Sequence, residues 1–320
     1  DARNGIKLGV YSIAAIEANA QAVVTVATIE SALNIPQVQG RNLYVVRANP
    51  GLPGFLQHLV KNTDANYTSD MTTQCALNSF PATDPAPSTA ASPLFSTLRA
   101  DARSVLRFYN SAGPANATVS VKLRDATTGG FLATWTSPPV PLGEEIIVPI
   151  ATIETGAIPN TFTKPEFYAA TIQSGFQGAF QHLLKDRGND ALANLSICSA
   201  GTSAGTSRLI GVASTVMAGT YTSQIVVHNL GATSAAVGLE IVDANTGLVA
   251  GTYTTTSIAP NGVIAVPVST METGAGVVGP TALQRSWIVQ AAAPFTGFLQ
   301  HLLTSQQSSM VSDMTYVCAL

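Results

Sequence analysis

The sequence predicts an all-β protein built from tandem β-sandwich repeats. Three observations predict this class. One motif occurs three times at a spacing of roughly 120 residues, runs of alternating apolar and polar residues fill the intervals, and Gly, Pro and Asn turns separate those runs. At 320 residues the chain has room for two or three domains, each with its own core.

The repeated motif is the strongest signal. It reads GFLQHL at 54–59, GAFQHL at 178–183 and GFLQHL at 297–302, and a second motif precedes it as VATIE at 26–30, IATIE at 150–154 and VSTME at 268–272. The histidines of the motif and the cysteines that follow it are His58, His182, His301, Cys75, Cys198 and Cys318. Since the landmarks recur in one order, they define three copies of one unit.

The register of the repeat divides the chain into three copies and two linkers. Copy one is 1–80, copy two is 94–200 and copy three is 208–320, with a Pro/Ala/Ser/Thr linker at 81–93 and a small-residue linker at 201–207. Each full copy holds six to eight short strands, which indicates a sandwich of immunoglobulin-like type with little helix.

Period-2 alternation locates the front strands of copies two and three. The matching runs are 104–110 with 223–229, and 119–125 with 237–243; turns at 125–129 and 243–247 and strands at 131–136 and 248–254 follow. Copy one matches the other two copies only from the strand after that turn onward, and this strand is predicted at 6–11. The first repeat is therefore predicted to be truncated at its N-terminal side, with an incomplete sheet.

Composition excludes several classes of function. Only 10% of residues are charged, the net charge is −3, and mean hydropathy is +0.27, so the chain has neither the basic field of a nucleic-acid binder nor the composition of a disordered protein. No apolar stretch is long enough for a membrane span. A sequence that opens at Asp1 without Met fits an exported protein whose signal peptide has been cleaved.

The motif residues are interpreted as scaffold, because catalysis seldom needs three identical centres. His58 and its counterparts alternate with apolar residues, which favours a structural role over a contact surface or a ligand. The G-x-S-x-G match at 201–205 lies in a linker without a helix to follow, and the Asp243, Asn245 and Gly247 pattern lacks the further oxygen ligands of a calcium loop. No enzyme activity, cofactor or metal is expected.

The cysteines leave three alternatives. With one in each copy, none can form a disulfide within its own copy, so they are free buried thiols, or are paired between copies or between chains. The strand context favours buried thiols that act as small hydrophobes.

An incomplete sandwich exposes apolar surface and strand edges that need a cover. Tandem immunoglobulin-like repeats with an incomplete first copy resemble the subunits of bacterial extracellular, pilus-like filaments, in which a neighbour completes the fold. The resemblance implies a structural protein at the cell surface that self-assembles with copies of itself into a fibre. The residues expected on that self-assembly surface are Ile6, Leu8, Val10, Val24, Val26 and Phe55.

The alternative is a secreted adhesin or carbohydrate-binding module that recognises a cell-surface or host ligand through exposed aromatic residues. Trp135 and Trp287 weigh against it, because they lie in strand contexts in different copies.

Overall fold

The computed structural model of the chain describes residues 1–2, 4, 6–14, 22–38, 43–46, 58–62, 67–71, 75–77, 90–159, 162–187, 192–196, 208–277, 280–281, 284–306 and 311–315. Strands predominate in these residues, their pairing is antiparallel, the α-helices have seven or eight residues, and a short 3-10 helix spans Thr215–Met217. The predicted all-β class is confirmed.

The elements follow the repeat order. The described part of copy one holds α1 (Val26–Ala32), β1 (Leu59–Asn62), β2 (Tyr67–Asp70) and β3 (Cys75–Leu77). Then come β4 (Ala90–Phe95), β5 (Ala102–Ala112), β6 (Val119–Asp125), β7 (Phe131–Thr136), β8 (Glu145–Pro149), α2 (Ile150–Ala157), β9 (Phe167–Ser174), β10 (Gln177–Asp186) and β11 (Leu192–Asn194). Copy three holds β12 (Arg208–Ala213), β13 (Tyr221–Asn229), β14 (Gly238–Asp243), β15 (Val249–Thr254), β16 (Val263–Pro267), α3 (Val268–Gly274), β17 (Ser286–Ala291), β18 (Gly297–Ser305) and β19 (Val311–Asp313).

Copies two and three share one topology. In copy two the sheets β4-β9-β6-β7 and β11-β10-β5-β8 enclose a core that includes Phe108, Trp135 and Phe180. In copy three the sheets β12-β17-β14-β15 and β19-β18-β13-β16 enclose a core that includes Trp287 and Leu299. Residues along β5 and β6 alternate between buried and partly exposed, because successive side chains of a strand point to opposite faces. The alternating runs in the sequence therefore became the strands that flank these cores.

Copy one differs from the other two. Its described strands form the hairpin β1–β2, while β3 leaves copy one and pairs with β10 of copy two, with Cys75 opposite Phe180. The strand predicted at 6–11 is wrong, since these residues are in no strand. The physical reason is that β7 and β15, its counterparts, pair with β6 and β14, whereas no described strand of copy one pairs with 6–11.

Two predicted linkers lie mostly outside the described residues. The described residues omit 81–89 of the linker predicted at 81–93 and all of the linker predicted at 201–207. The linker prediction is wrong for 90–93, because β4 begins at Ala90 and is held in a sheet by its pairing with β9.

The repeated motif begins with glycine for a steric reason. A Cβ atom at Gly178 would lie 1.8 Å from the carbonyl oxygen of Tyr109, and one at Gly297 would lie 1.9 Å from that of His228. Only glycine allows the neighbouring strand to approach so closely. The motif is therefore constrained by backbone packing at its first position.

Candidate functional site

The motif histidines occupy two different environments. His182 on β10 and His301 on β18 are fully buried, whereas His58 is exposed. Nε2 of His182 lies 2.7 Å from Oγ of Ser104, and Nε2 of His301 lies 2.8 Å from Oγ of Ser223. Each histidine thus links the two central strands of its sheet through one serine hydroxyl.

The same serines also join the two sheets of each sandwich. Ser104 Oγ accepts a hydrogen bond from the Phe95 backbone N–H on β4, and Ser223 Oγ accepts one from Ala213 on β12. Burial lowers the pKa of His182 to about 3 and that of His301 to about 4, so both rings are neutral near pH 7. A neutral imidazole with one serine partner inside the core is suited to holding strands together.

The last residue of the second motif is a buried carboxylate in copies two and three. Glu154 accepts hydrogen bonds from the Thr97 backbone N–H (2.9 Å), the Lys164 ammonium (2.8 Å) and the Tyr168 hydroxyl (3.2 Å). Burial raises the pKa of Glu154, but the bonds from Lys164 and Thr97 outweigh it and keep that pKa below its usual range. The carboxylate is saturated by structural donors.

Copy three and copy one repeat this arrangement with fewer partners. Glu272 accepts hydrogen bonds from the Thr215 backbone N–H and from the Trp287 indole N–H at 2.6 Å. In copy one, Glu30 accepts a hydrogen bond from the Tyr44 hydroxyl at 2.6 Å. In each copy the carboxylate ties a short helix to a later or earlier segment of the chain.

Cys75 is disulfide-bonded. The prediction of a free buried thiol is therefore wrong for this residue. The two other cysteines of the sequence, Cys198 and Cys318, lie outside the described residues and belong to copies two and three. A disulfide of Cys75 within the chain must consequently join two copies.

The residues that matched catalytic or metal patterns have structural partners. Asp243 Oδ1 accepts the backbone N–H groups of Asn245 and Thr246 at 2.8 and 3.2 Å, and its Oδ2 accepts the amide of Gln284 at 3.0 Å. These bonds close a turn rather than leaving oxygens for an ion. Within the described ranges no group of three or more His, Cys, Asp or Glu side chains could hold a metal, and 201–205 lies outside those ranges.

The predicted self-assembly residues are mostly at the surface. Ile6, Val10 and Val26 are exposed, Leu8 and Val24 are half-buried, and Phe55 lies outside the described residues. Exposed Val23 adjoins them. No helix in the part of the chain that the structure describes combines the length and apolar character of a membrane span.

An apolar contact between copies two and three was not foreseen from the sequence. Phe95, Ala102, Leu184, Ala193 and Leu195 of copy two pack against Val226 and Leu302 of copy three. Val226 and Leu302 lie on the outer face of their sheet, the face turned away from the core of copy three. Their apolar character at positions where alternation predicts a polar residue was the available signal.

A small cleft opens beside this contact. Its volume is about 280 Å³, and its walls include Phe95, Phe167 and Arg99 from copy two. The Arg99 guanidinium lies 5.3 Å from the centre of each aromatic ring and forms an ion pair with Asp101. The charged groups of the cleft therefore neutralise each other.

Comparison with known proteins does not assign the chain to a family. No protein-family model matches the sequence, and no match was found among curated proteins. Its function has to be inferred from its own residues.

Proposed function

We propose that this protein is a structural subunit of an extracellular filament or surface layer that self-assembles head-to-tail through copy one. The observation that carries the proposal is the different burial of one motif position. Val26 is 50% exposed in copy one, whereas Ile150 and Val268, at the same position of copies two and three, are core residues at 1% and 3%. Apolar side chains that form a core in two copies need a cover in the third.

The low charge of the chain supports self-association. Charged residues make up 10% of the chain, and charged residues are depleted where protein surfaces bury against one another. A contact between one end of a chain and the other end of the next is heterologous, and such contacts propagate into filaments when they do not close into a ring. We also propose that the subunit has the immunoglobulin-like architecture of pilus-like filaments.

The cysteine chemistry supports export. Disulfides persist in oxidising compartments and are rare in the cytosol, so the bond at Cys75 favours an extracellular location. Peptide mapping without reduction tests this: the Cys75 peptide is expected to be linked to that of Cys198 or Cys318 in protein secreted by its native cells. Three unlinked cysteines in that material would contradict it.

Sedimentation velocity across a concentration series, beside electron microscopy of the same samples, tests the assembly. Wild type is expected to form species that grow with concentration and appear as ordered fibres or sheets. Val26→Glu is expected to raise the concentration at which they form, and Leu248→Glu, at an exposed leucine of copy three, serves as the matched control. A monomer at every concentration would contradict the proposal.

The alternative function, a secreted adhesin or carbohydrate-binding module, has one observation in its favour, the cleft that contains Phe95, Phe167 and Arg99. Aromatic faces stack on sugar rings, but here Arg99 already covers both rings. Trp135 and Trp287 are core residues and supply no binding face. A glycan array probed with wild type and with Phe167→Ala tests it, since binding that is lost in this variant would favour the module.

A further inference from the structure

Equivalent hairpins of the three copies lie side by side in the chain. The pairs β1–β2, β10–β11 and β18–β19 have the same register, with Leu59 opposite Asp70, Leu183 opposite Asn194 and Leu302 opposite Asp313. In addition, β11 contacts both β2 and β19. Each hairpin is therefore placed against the hairpin of the next copy, so the relation between neighbouring copies repeats within one chain.

The residue that follows the second strand of each hairpin shows whether another copy covers that hairpin. Met71, Leu195 and Met314 donate their backbone N–H to the carbonyl oxygens of His58, His182 and His301 at 2.7–2.8 Å, so they are structurally equivalent. Met71 is 4% exposed and Leu195 is 1% exposed, whereas Met314 is 47% exposed. The first two have a following copy beside them, whereas no described copy lies beside Met314.

Two contacts account for the burial of the first two residues. Leu195 belongs to the apolar cluster between copies two and three. Beside Met71, the Gln181 side chain of copy two donates a hydrogen bond to the Met71 carbonyl oxygen at 2.8 Å. In both cases the end of one copy is covered by the outer face of the next copy's sheet.

The leading leucine of each hairpin shows the opposite trend. Leu59 is 52% exposed, whereas Leu183 and Leu302, at the same register position, are 6% and 2% exposed. Leu302 is covered by the cluster from copy two. No described residues cover Leu59 in the way that copy two covers Leu302.

The exposed residues of copy three are equivalent to the residues through which copy two contacts copy three. Strand pairing shows which residues of the two copies are equivalent. Ala102 of copy two corresponds to Tyr221 of copy three, and Leu184 corresponds to Leu303. Ala102 and Leu184 are buried in the contact with copy three, but Tyr221 is exposed and Leu303 is half-buried. We name Tyr221, Leu303 and Met314 the trailing face, and Leu59 with the hairpin β1–β2 the leading face.

We infer that the trailing face of one chain packs on the leading face of a second chain and so repeats the contact between copies two and three. The inference rests on the proposed self-assembly and names its two surfaces. The occupant of each face is a second copy of this chain, because both faces continue an interface that the chain already forms twice within itself. Since each chain carries one of each, the contact is heterologous and can propagate.

Two single substitutions and their mixture test this. Met314→Glu blocks the trailing face and leaves the leading face intact, and Leu59→Glu does the reverse. Both side chains are about half exposed, so the folded monomer tolerates the change, and circular dichroism verifies this. Leu248→Glu, at an exposed residue outside both faces, is the matched control. Sedimentation velocity at concentrations where wild type assembles is the readout.

Each blocked variant alone is expected to sediment as a monomer, and an equimolar mixture of the two is expected to stop at dimers joined by the one remaining pair of intact faces. If wild type and both variants assemble equally, the inferred faces are wrong while self-assembly stands. If wild type itself is a monomer, both proposals fail. Should Met314→Glu not fold, Tyr221→Glu blocks the same face.

Discussion

The same sequence motif forms an exposed helix in copy one and a buried one in copies two and three. None of the residues of α1 is buried, whereas α2 buries Ile150, Ile153 and Glu154 and α3 buries the three equivalent residues. The helix itself forms in all three settings, so its backbone is specified locally. Its burial is specified by the two sheets around it, and within the described residues such a pair of sheets encloses only α2 and α3.

The histidines repeat this contrast. His182 and His301 are buried against a serine of the neighbouring strand, β5 or β13. His58 precedes β1, which among the described residues pairs with β2 and with no counterpart of β5 or β13, and His58 is exposed. A residue of the repeated motif therefore acquires its structural role from a partner strand about 78 residues earlier in the chain.

The largest expected effect that tests this contrast is a loss of stability in mild acid. Burial lowers the pKa of His182 and His228 to about 3 and that of His301 to about 4. The unfolded chain binds protons at these histidines below pH ~6.5, but the folded chain does not until its lowered pKa values are reached, so stability falls as pH falls. Each buried histidine is expected to cost about 0.7 kcal/mol per pH unit at pH ~6.5, and this slope approaches about 1.4 kcal/mol per pH unit near pH ~5.

Urea unfolding at several pH values, followed by tryptophan fluorescence, measures this. His182→Gln is expected to reduce the slope of stability against pH by about one histidine's share. Partial burial and the charge of Arg107 also lower the pKa of His58, but its side chain is exposed, so His58→Gln is expected to reduce the slope by less and serves as the comparison. A slope that the His182→Gln change leaves intact would show that other groups govern the acid response.

The next largest effect concerns the buried carboxylate. Glu154→Gln removes an acceptor from Thr97, Lys164 and Tyr168 and turns an amide N–H₂ toward these donors, so we expect a loss of about 3 kcal/mol. Glu30→Gln in copy one keeps an oxygen for the Tyr44 hydroxyl and is expected to change stability by less than ~0.5 kcal/mol. Denaturation followed through Trp135 reports on copy two. Equal losses in the two variants would contradict the comparison.

Much of the fold of copies two and three was predictable because alternation and turn chemistry act locally. The runs at 104–110 and 119–125 lie within β5 and β6, and the turn that follows β6 is closed by Asp125 Oδ1, which accepts two backbone N–H groups, and by Gly129 at a φ of 68°. The prediction of a strand at 6–11 was wrong for a non-local reason. A strand needs a neighbouring strand to pair with, and the local sequence pattern does not show whether one is there.

The candidate site was less predictable. Val26 and Ile6 could be placed at a surface from the incomplete repeat alone. The trailing face could not, because Met314 and Leu195 look equivalent in sequence and differ only in whether another copy lies beside them. For a similar reason the sequence left pairing of Cys75 between copies as one of three alternatives and did not favour it, since the crossing of β3 into the sheet of copy two is a tertiary contact.

A matched pair of valines gives the third test. Val268→Ala removes two methyl groups from the core of copy three and is expected to cost about 2 kcal/mol. The same substitution at Val26, which is exposed on α1, is expected to cost less than ~0.5 kcal/mol in monomeric protein. Urea midpoints of both variants, measured at a concentration below assembly, provide the comparison. A cost at Val26 equal to that at Val268 would mean that α1 is packed as tightly as α3.

The smallest expected effect concerns the N-terminal cap of α1, which α2 and α3 lack. At the start of α1, Thr25 Oγ1 accepts the Thr28 backbone N–H at 3.1 Å, whereas α2 and α3 begin after Pro149 and Pro267 without a side-chain cap. An exposed helix depends on its cap more than a packed one does. Thr25→Ala is therefore expected to weaken α1 locally by about 1 kcal/mol, which is about five-fold faster amide exchange.

Hydrogen exchange resolved by residue measures that change at the amides of Ile29 and Leu33, which bond to the carbonyl oxygens of Thr25 and Ile29. Thr25→Ser retains the hydroxyl and is expected to keep the wild-type rates. The global unfolding midpoint is expected to stay constant in both variants, because α1 buries none of its residues and its opening exposes little new apolar surface. A fall in that midpoint for Thr25→Ala would mean that α1 is coupled to a core, and the contrast between copy one and the other two copies would then lose its physical basis.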